Sequence, residues 1–269
     1  MKRSLLYTLL PLCCILVLMS FTKSEKLVKL HNYSFNKGEQ ISYRVHYGFI
    51  NAGESKITVS DRHYILNDRI CYRVEISGNT VGAFDKILRI RNIWGSYFDT
   101  SYFQPQKSFR HIQEGKYRKR EETFYDYNKR TAKVIAENDT AKVVPVVPEI
   151  QDMVSGYYYL RLLNYDGMRI GDTLHLKGIF EDQTYNFKIL YMGNHEIDTK
   201  FGKMSSILIK PVMPDNKLFS GANPISMYIS ADKNRIPIKV KANLVVGSVE
   251  LDIKDYQNLK HPLATIKKK

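Results

Sequence analysis

Residues 236–253 read IPIKVKANLVVGSVELDI, and this stretch decides the fold class. Ile236, Ile238, Val240, Ala242, Leu244 and Val246 fall at every second position, so an extended chain places them all on one face. Gly247–Ser248 supplies a tight turn, after which Val249, Leu251 and Ile253 return in phase. A hairpin with one aliphatic and one lysine-bearing face must bury the first against something. The period of two excludes an amphipathic helix here.

The same alternation runs outward through the chain. Ile41, Tyr43, Val45 and Tyr47 share one side of a strand, with Ser42, Arg44 and His46 on the other. Asn67–Asp68, Asn128–Lys129, Asn138–Asp139 and Gly193–Asn194 divide further runs as hairpin turns do. Between Phe35 and Tyr256 the pattern predicts roughly a dozen antiparallel strands. One helix interrupts them. After Pro145 and Pro148, residues 149–163 place Ile150, Met153, Val154, Tyr157 and Leu160 at helical spacing, with Glu149 and Asp152 in the first turn where the helix dipole favours acids. Tyr157, Tyr158 and Tyr159 cannot all face one core on such a helix.

A repeat is legible in the turn residues. Asp99, Pro105 and Gly115 are matched by Asp232, Pro237 and Gly247, and Gly38–Glu39 is matched by Gly171–Asp172. The expected architecture is mainly β: a large antiparallel, curved sheet or open barrel made of two related halves (about 35–148 and 171–256), joined by the helix that packs on it. The domain organisation that follows is a leader at 1–22, a single β-rich domain at 23–256 and a basic tail at 257–269.

Lys2 and Arg3 followed by an apolar run to Phe21 describe an export signal, with small residues at Ser20, Thr22 and Ser24 for cleavage and retention as an amino-terminal anchor as the alternative. Cys13 and Cys14 lie inside that run, and Leu12 before them is too bulky for lipid attachment. Cys71 is then the only thiol of the exported part, so no internal disulfide is expected and stability must come from burial. An address outside the cytoplasm, periplasmic or on the cell envelope, follows.

The formal charge is +14. For an exported chain the matching acidic partners are lipid head groups, surface phosphates or acidic glycans, and nucleic acid is not among them. The basic residues concentrate between Phe109 and Tyr127, where Arg110, Lys116, Arg118, Lys119 and Arg120 are candidate anion-binding residues. Glu121 and Glu122 follow them as cross-strand counter-charges, and the structural alternative is a hairpin protected from edge-to-edge pairing. No zinc helix, nucleophile elbow, phosphate-cradling loop or Cys-x-x-Cys pair occurs, so no cofactor, metal or catalytic residue is assigned.

Three blocks carry a family resemblance: Phe35-x-x-Gly38-Glu39-x-Ile41-x-Tyr43-x-Val45; Asp152-x-Val154-Ser155-x-x-Tyr158-x-Leu160-Arg161; and Ser230-x-Asp232 with Ile236-Pro237. Together they resemble the bacterial domain of unknown function 3108, over about Phe35 to Ile253. Tyr228–Ile229 departs from the family pattern, which places a Trp before Ser230. The resemblance implies an exported, β-rich protein with no assigned activity. At fold level the chain is also similar to periplasmic lipoprotein carriers, whose curved sheet encloses a lipid-binding hollow. The leading expectation is therefore non-enzymatic binding of a lipid, acyl chain or lipoprotein between sheet and helix, against Met153, Val154, Tyr157 and Leu160, with the basic hairpin near an anionic membrane surface. The alternatives are a glycan-binding module or glycan hydrolase, and a scaffold subunit contacting another envelope protein.

Overall fold

The alternation becomes one sheet. In a computed structural model describing residues 27–137, 139–212, 221 and 223–266, every strand pairing is antiparallel. The leader, Cys13–Cys14 and Asn138 of the Asn138–Asp139 turn lie outside the described residues. In chain order the elements are β1 (Gln40–Tyr47), β2 (Ile50–Val59), β3 (Tyr64–Leu66), β4 (Arg69–Thr80), α1 (Gly82–Ile87), β5 (Arg91–Asp99), β6 (Pro105–Glu114), β7 (Tyr117–Asp126), β8 (Thr131–Ala136), β9 (Lys142–Pro145), α2 (Met153–Leu160), β10 (Thr173–Phe180), β11 (Gln183–Thr199), β12 (Gly202–Val212), β13 (Ile225–Ser230), β14 (Pro237–Asn243) and β15 (Ser248–Gln257).

Fourteen of these form a continuous path, β10 to β15, then β1, β2 and β4 to β9, with β3 paired to β4 alone. The chain thus enters the sheet in its middle, and its two edges, β9 and β10, are joined by the segment carrying α2. The sheet curves without closing. Gln151 partly covers the β10 edge, donating to Lys177 O at 2.8 Å and accepting from Ile179 N at 2.9 Å.

The matched blocks adopt matching local geometry. Pro105 and Pro237 each begin a strand, and Phe103 and Arg235, two residues earlier, both take left-handed φ of 59° and 49°. Such a φ is costly for a side chain larger than Asn. Asp99 holds the first of these turns by accepting from the amides of Ser101 (2.9 Å), Tyr102 (2.7 Å) and Gln104 (3.2 Å).

Ile236, Ile238 and Ile253 are buried as their phase requires. Val246 is not, because Leu244–Gly247, and not Gly247–Ser248, makes the turn: Leu244 N donates to Gly247 O at 3.0 Å and lifts Val245 and Val246 to its tip. Gly193–Asn194 is likewise no hairpin turn. It forms a bulge inside the 17-residue strand β11, where the pairing slips between Tyr191 and Asn194. Asn67–Asp68 is a hairpin turn, with both residues at left-handed φ of 49° and 57°.

The main core lies between the concave face and α2, where Phe35, Phe98, Phe103 and Tyr158 meet. Ring centroids are 4.5 Å apart for Phe35–Tyr158 and 5.7 Å for Phe98–Phe103, within the range where aromatic pairs attract beyond their area. Residues 258–266, read as a basic tail, return along the sheet, with Leu259 and Leu263 packed on the same core. Replacing Phe98 by Ala should lower unfolding free energy in urea by about 3–5 kcal/mol, whereas Ile65→Ala, at 78% exposure, should stay within about 0.5 kcal/mol.

Candidate functional site

The site expected beneath the helix is built from its amino terminus. Gln151 is occupied in pairing with β10, so the chain stays extended to Asp152 and α2 begins at Met153, four residues later than the spacing predicts. Asp152 caps it, accepting from Val154 N (2.8 Å) and Ser155 N (2.9 Å), while Ser155 Oγ accepts from Asp152 N at 3.0 Å. This reciprocal cap fixes the helix phase.

The face that packs differs from the predicted stripe. Val154, Tyr158 and Leu162 point into the aromatic core, Tyr157 packs at its margin, and Leu160 joins a separate cluster around Tyr165. Met153 is half exposed. The shift has a steric cause. A Cβ on Gly156 would sit 3.3 Å from Leu176 Cδ2, so the helix approaches β10 on its glycine side and turns Tyr158 inward.

One turn further on, Arg161 is buried and forms a bidentate pair with buried Glu39: Nη1 donates to Oε1 at 2.5 Å and Nη2 to Oε2 at 2.9 Å. Two further donors are also used, with Nε to Asn234 O at 3.0 Å and Nη2 to Ser34 O at 3.1 Å. Tyr158 Oη donates to Glu39 Oε1 at 3.3 Å, and the guanidinium lies 5.0 Å from the Tyr158 ring centroid. Burial works against the Arg161 charge, but the Glu39 charge and hydrogen bonds together with Tyr157 and Tyr158 offset this and hold its pKa above the ordinary value. Asn234 carries the network onward by exchanging two hydrogen bonds with the backbone of His261.

The space under α2 is therefore filled. What remains is a cavity of about 50 Å³ at the helix amino terminus, bordered by Trp94, Ser108, Arg110, Tyr125, Met153 and Val154 among others. Of the nine predicted site residues, Met153, Val154 and Arg110 come together here; Tyr157 and Leu160 do not border it. The indole N–H of Trp94 is buried without a protein partner, and a hollow of this size suits a water. The Asp152 carboxyl also faces it, accepting from Ser96 Oγ at 2.6 Å, and burial pushes its pKa up to about 6.

The basic hairpin separates by strand parity. Arg110 pairs with Glu121 at 2.9 Å and Glu181 at 2.8 Å, and Lys119 with the same two carboxylates at 3.2 and 3.4 Å. These two cations are paired inside the chain. Register is the reason, because Arg110 lies directly opposite Glu121. Lys116, Arg118 and Arg120 are exposed, and among the described residues Arg120 alone of them has an ion-pair partner, Glu137 at 3.9 Å. Cys71 is buried, and burial with the nearby Asp99 charge pushes its thiol up to about 12. It is an inert packing residue.

The structure also makes sense of the three sequence blocks. Glu39, Arg161 and the Ser230–Ile236 turn, distant along the chain, surround one buried ion pair. Sequence reading missed this pairing, although an Arg on the core side of a helix was itself a signal, since an arginine is buried only with a partner.

A family profile described as "Protein of unknown function (DUF3108)" matches residues 42–254. No curated protein matches the chain. Among solved structures, a beta-barrel-like protein of domain of unknown function DUF1849 from Brucella abortus aligns at 8% identity, covering 84% of this chain and 99% of its own, with a TM-score of 0.55. A candidate lipoprotein from Parabacteroides distasonis aligns at 8% identity over 86% of this chain and 100% of its own, with a TM-score of 0.33. The first likeness establishes a shared β-barrel-like fold.

Arg161→Ala leaves Glu39 buried and uncompensated, and should cost about 3–5 kcal/mol in chemical denaturation. Asp152 gives a pH signature. Its folded-state pKa is raised from 3.8 to about 6, so the stability it contributes is present at acid pH and is lost as pH rises through 6, by on the order of 2–3 kcal/mol. Asp152→Asn keeps the cap and should flatten the thermal midpoint between about pH 4 and 6.

Proposed function

We propose that this chain, which belongs to the DUF3108 family, is an exported, non-catalytic scaffold of the cell envelope that acts through its outer surface and carries no ligand inside. The observation that supports this reading is the filled interior. Phe35, Phe98, Phe103 and Tyr158 occupy the volume beneath α2 where a carrier needs a hollow, and the 50 Å³ left there compares with roughly 300–1,000 Å³ for sites that enclose a ligand. The larger hollows, about 830 Å³ beside Asn67, Gln106 and Lys129 and about 330 Å³ beside His46 and Asp198, lie away from the helix.

The acids bordering that cavity have structural work. Asp152 caps α2, and Glu121 is held by Arg110 and Lys119. A hydrolase needs one carboxyl free to give up a proton and another free to attack or activate water. Glu39, Tyr158 and Arg161 likewise face inward to one another. Such a molecule offers partners a rigid sheet and the loops at its ends.

The test is organic extraction of the purified exported chain followed by lipid mass spectrometry. Only traces of lipid, well below one per chain, are expected. One acyl lipid per chain that survives gel filtration would overturn the scaffold reading and restore the carrier.

A further inference from the structure

Four connections sit at one end of the sheet, because β14, β15, β1, β2, β4, β5, β6 and β7 are successive antiparallel neighbours. They are the β14–β15 turn, the β1–β2 turn, the α1 segment between β4 and β5, and the β6–β7 turn. The first three carry apolar tips, and the fourth carries Lys116. Phe49 is 96% exposed, Ile87 82% and Val246 73%, with Ile50, Leu88 and Val245 exposed beside them.

These tips are clamped together. Tyr47 Oη donates to Val246 O at 2.9 Å while its ring meets Phe84 of α1 at 6.0 Å. Gly48 N donates to Ser248 O at 3.0 Å, and Gly115 N to Arg89 O at 2.9 Å. The helix α1 has no buried residue, and six residues do not hold a helix unaided. It is held by Asp85, which pairs with Arg91 at 2.6 Å and accepts from Thr80 Oγ1 at 2.7 Å. Folding thus fixes an apolar surface that burial inside the chain does not explain.

Charge identifies what covers it. Lys86, Arg89, Lys116 and Arg118 on the same loops are exposed, and no ion pair engages them among the described residues. Apolar tips ringed by unpaired cations match the boundary of an anionic bilayer, where side chains enter the acyl region and cations meet phosphates. We propose that this hairpin end docks on an anionic lipid surface, with Phe49, Ile87 and Val246 entering the bilayer and Lys86, Lys116 and Arg118 contacting head groups. The proposal rests on the surface-contact reading above and names its partner.

Vesicle sedimentation of the purified exported chain tests it, using phosphatidylglycerol–phosphatidylethanolamine vesicles against phosphatidylcholine alone. Binding to the anionic vesicles, weakening with salt, is expected. The variant Lys86→Gln/Lys116→Gln/Arg118→Gln should lose about 100-fold in partitioning. Phe49→Ser/Ile87→Ser/Val246→Ser should lose at least about tenfold, while Ile65→Ser at the opposite end binds as wild type. All these positions are exposed, so unchanged thermal midpoints are expected and separate binding loss from unfolding. Phe49→Trp should show a blue shift on binding and quenching by brominated acyl chains, which adsorption by charge alone does not give. Absence of binding to the anionic vesicles overturns the lipid partner while the scaffold reading stands on the extraction result. Full binding by the serine variant overturns the docking geometry.

Discussion

A single buried ion pair governs this molecule. An unpaired Arg161 in the interior would be costly by several kcal/mol, and the cost is met because Glu39, Asn234 and Ser34 converge on it from three other segments. The pair does not have to exceed an apolar substitute in stability to be decisive. It fixes geometry, since a planar guanidinium accepts only one arrangement of a carboxylate and two carbonyls. That arrangement sets the lead-in to β1 against the end of α2 and the turn before β14. Through Asn234 and His261 it also ties down the returning carboxy-terminal segment.

The consequence for function is negative inside and positive outside. Once Tyr158 is drawn toward Glu39, its ring meets Phe35 edge-on and Phe98 at a tilt, and no lipid-sized volume is left beneath the helix. With that volume filled, the surfaces and ends of the sheet are where the proposed scaffold makes its contacts. The curved, barrel-like outline shared with the DUF1849 protein therefore speaks of architecture, and the apolar, cationic hairpin end is where this chain departs from a neutral shell.

Much of the fold was legible because period two is a strong signal wherever one face is buried. The strand Ile41–Tyr47, the Asn67–Asp68 turn and the Pro105 and Pro237 strand starts all follow from it. The errors have physical causes. The Gly193–Asn194 bulge and a true turn both ask for a residue tolerant of positive φ, so they look alike in sequence. The helix phase depended on whether Glu149 or Asp152 made the cap, and that was settled by Gln151 pairing with a strand edge more than twenty residues later. The Glu121 counter-charge to Arg110 was legible in the sequence, whereas Glu181, the second carboxylate on Arg110 and Lys119, lies sixty and more residues away. Long-range pairs are the part of a sheet protein that local pattern does not carry.

Native-state hydrogen exchange tests the central claim most directly. If the Glu39–Arg161 pair joins its segments into one cooperative unit, the amides of Ile236 and His261, which donate to Ser230 Oγ and Asn234 Oδ1, should open with the same free energy as the central strand amides of β1. In Arg161→Lys, which cannot reproduce the fork, all of these should lose protection together. Exchange of His261 at the rate of a free chain end in the wild type, or loss confined to α2 in the variant, would contradict the account.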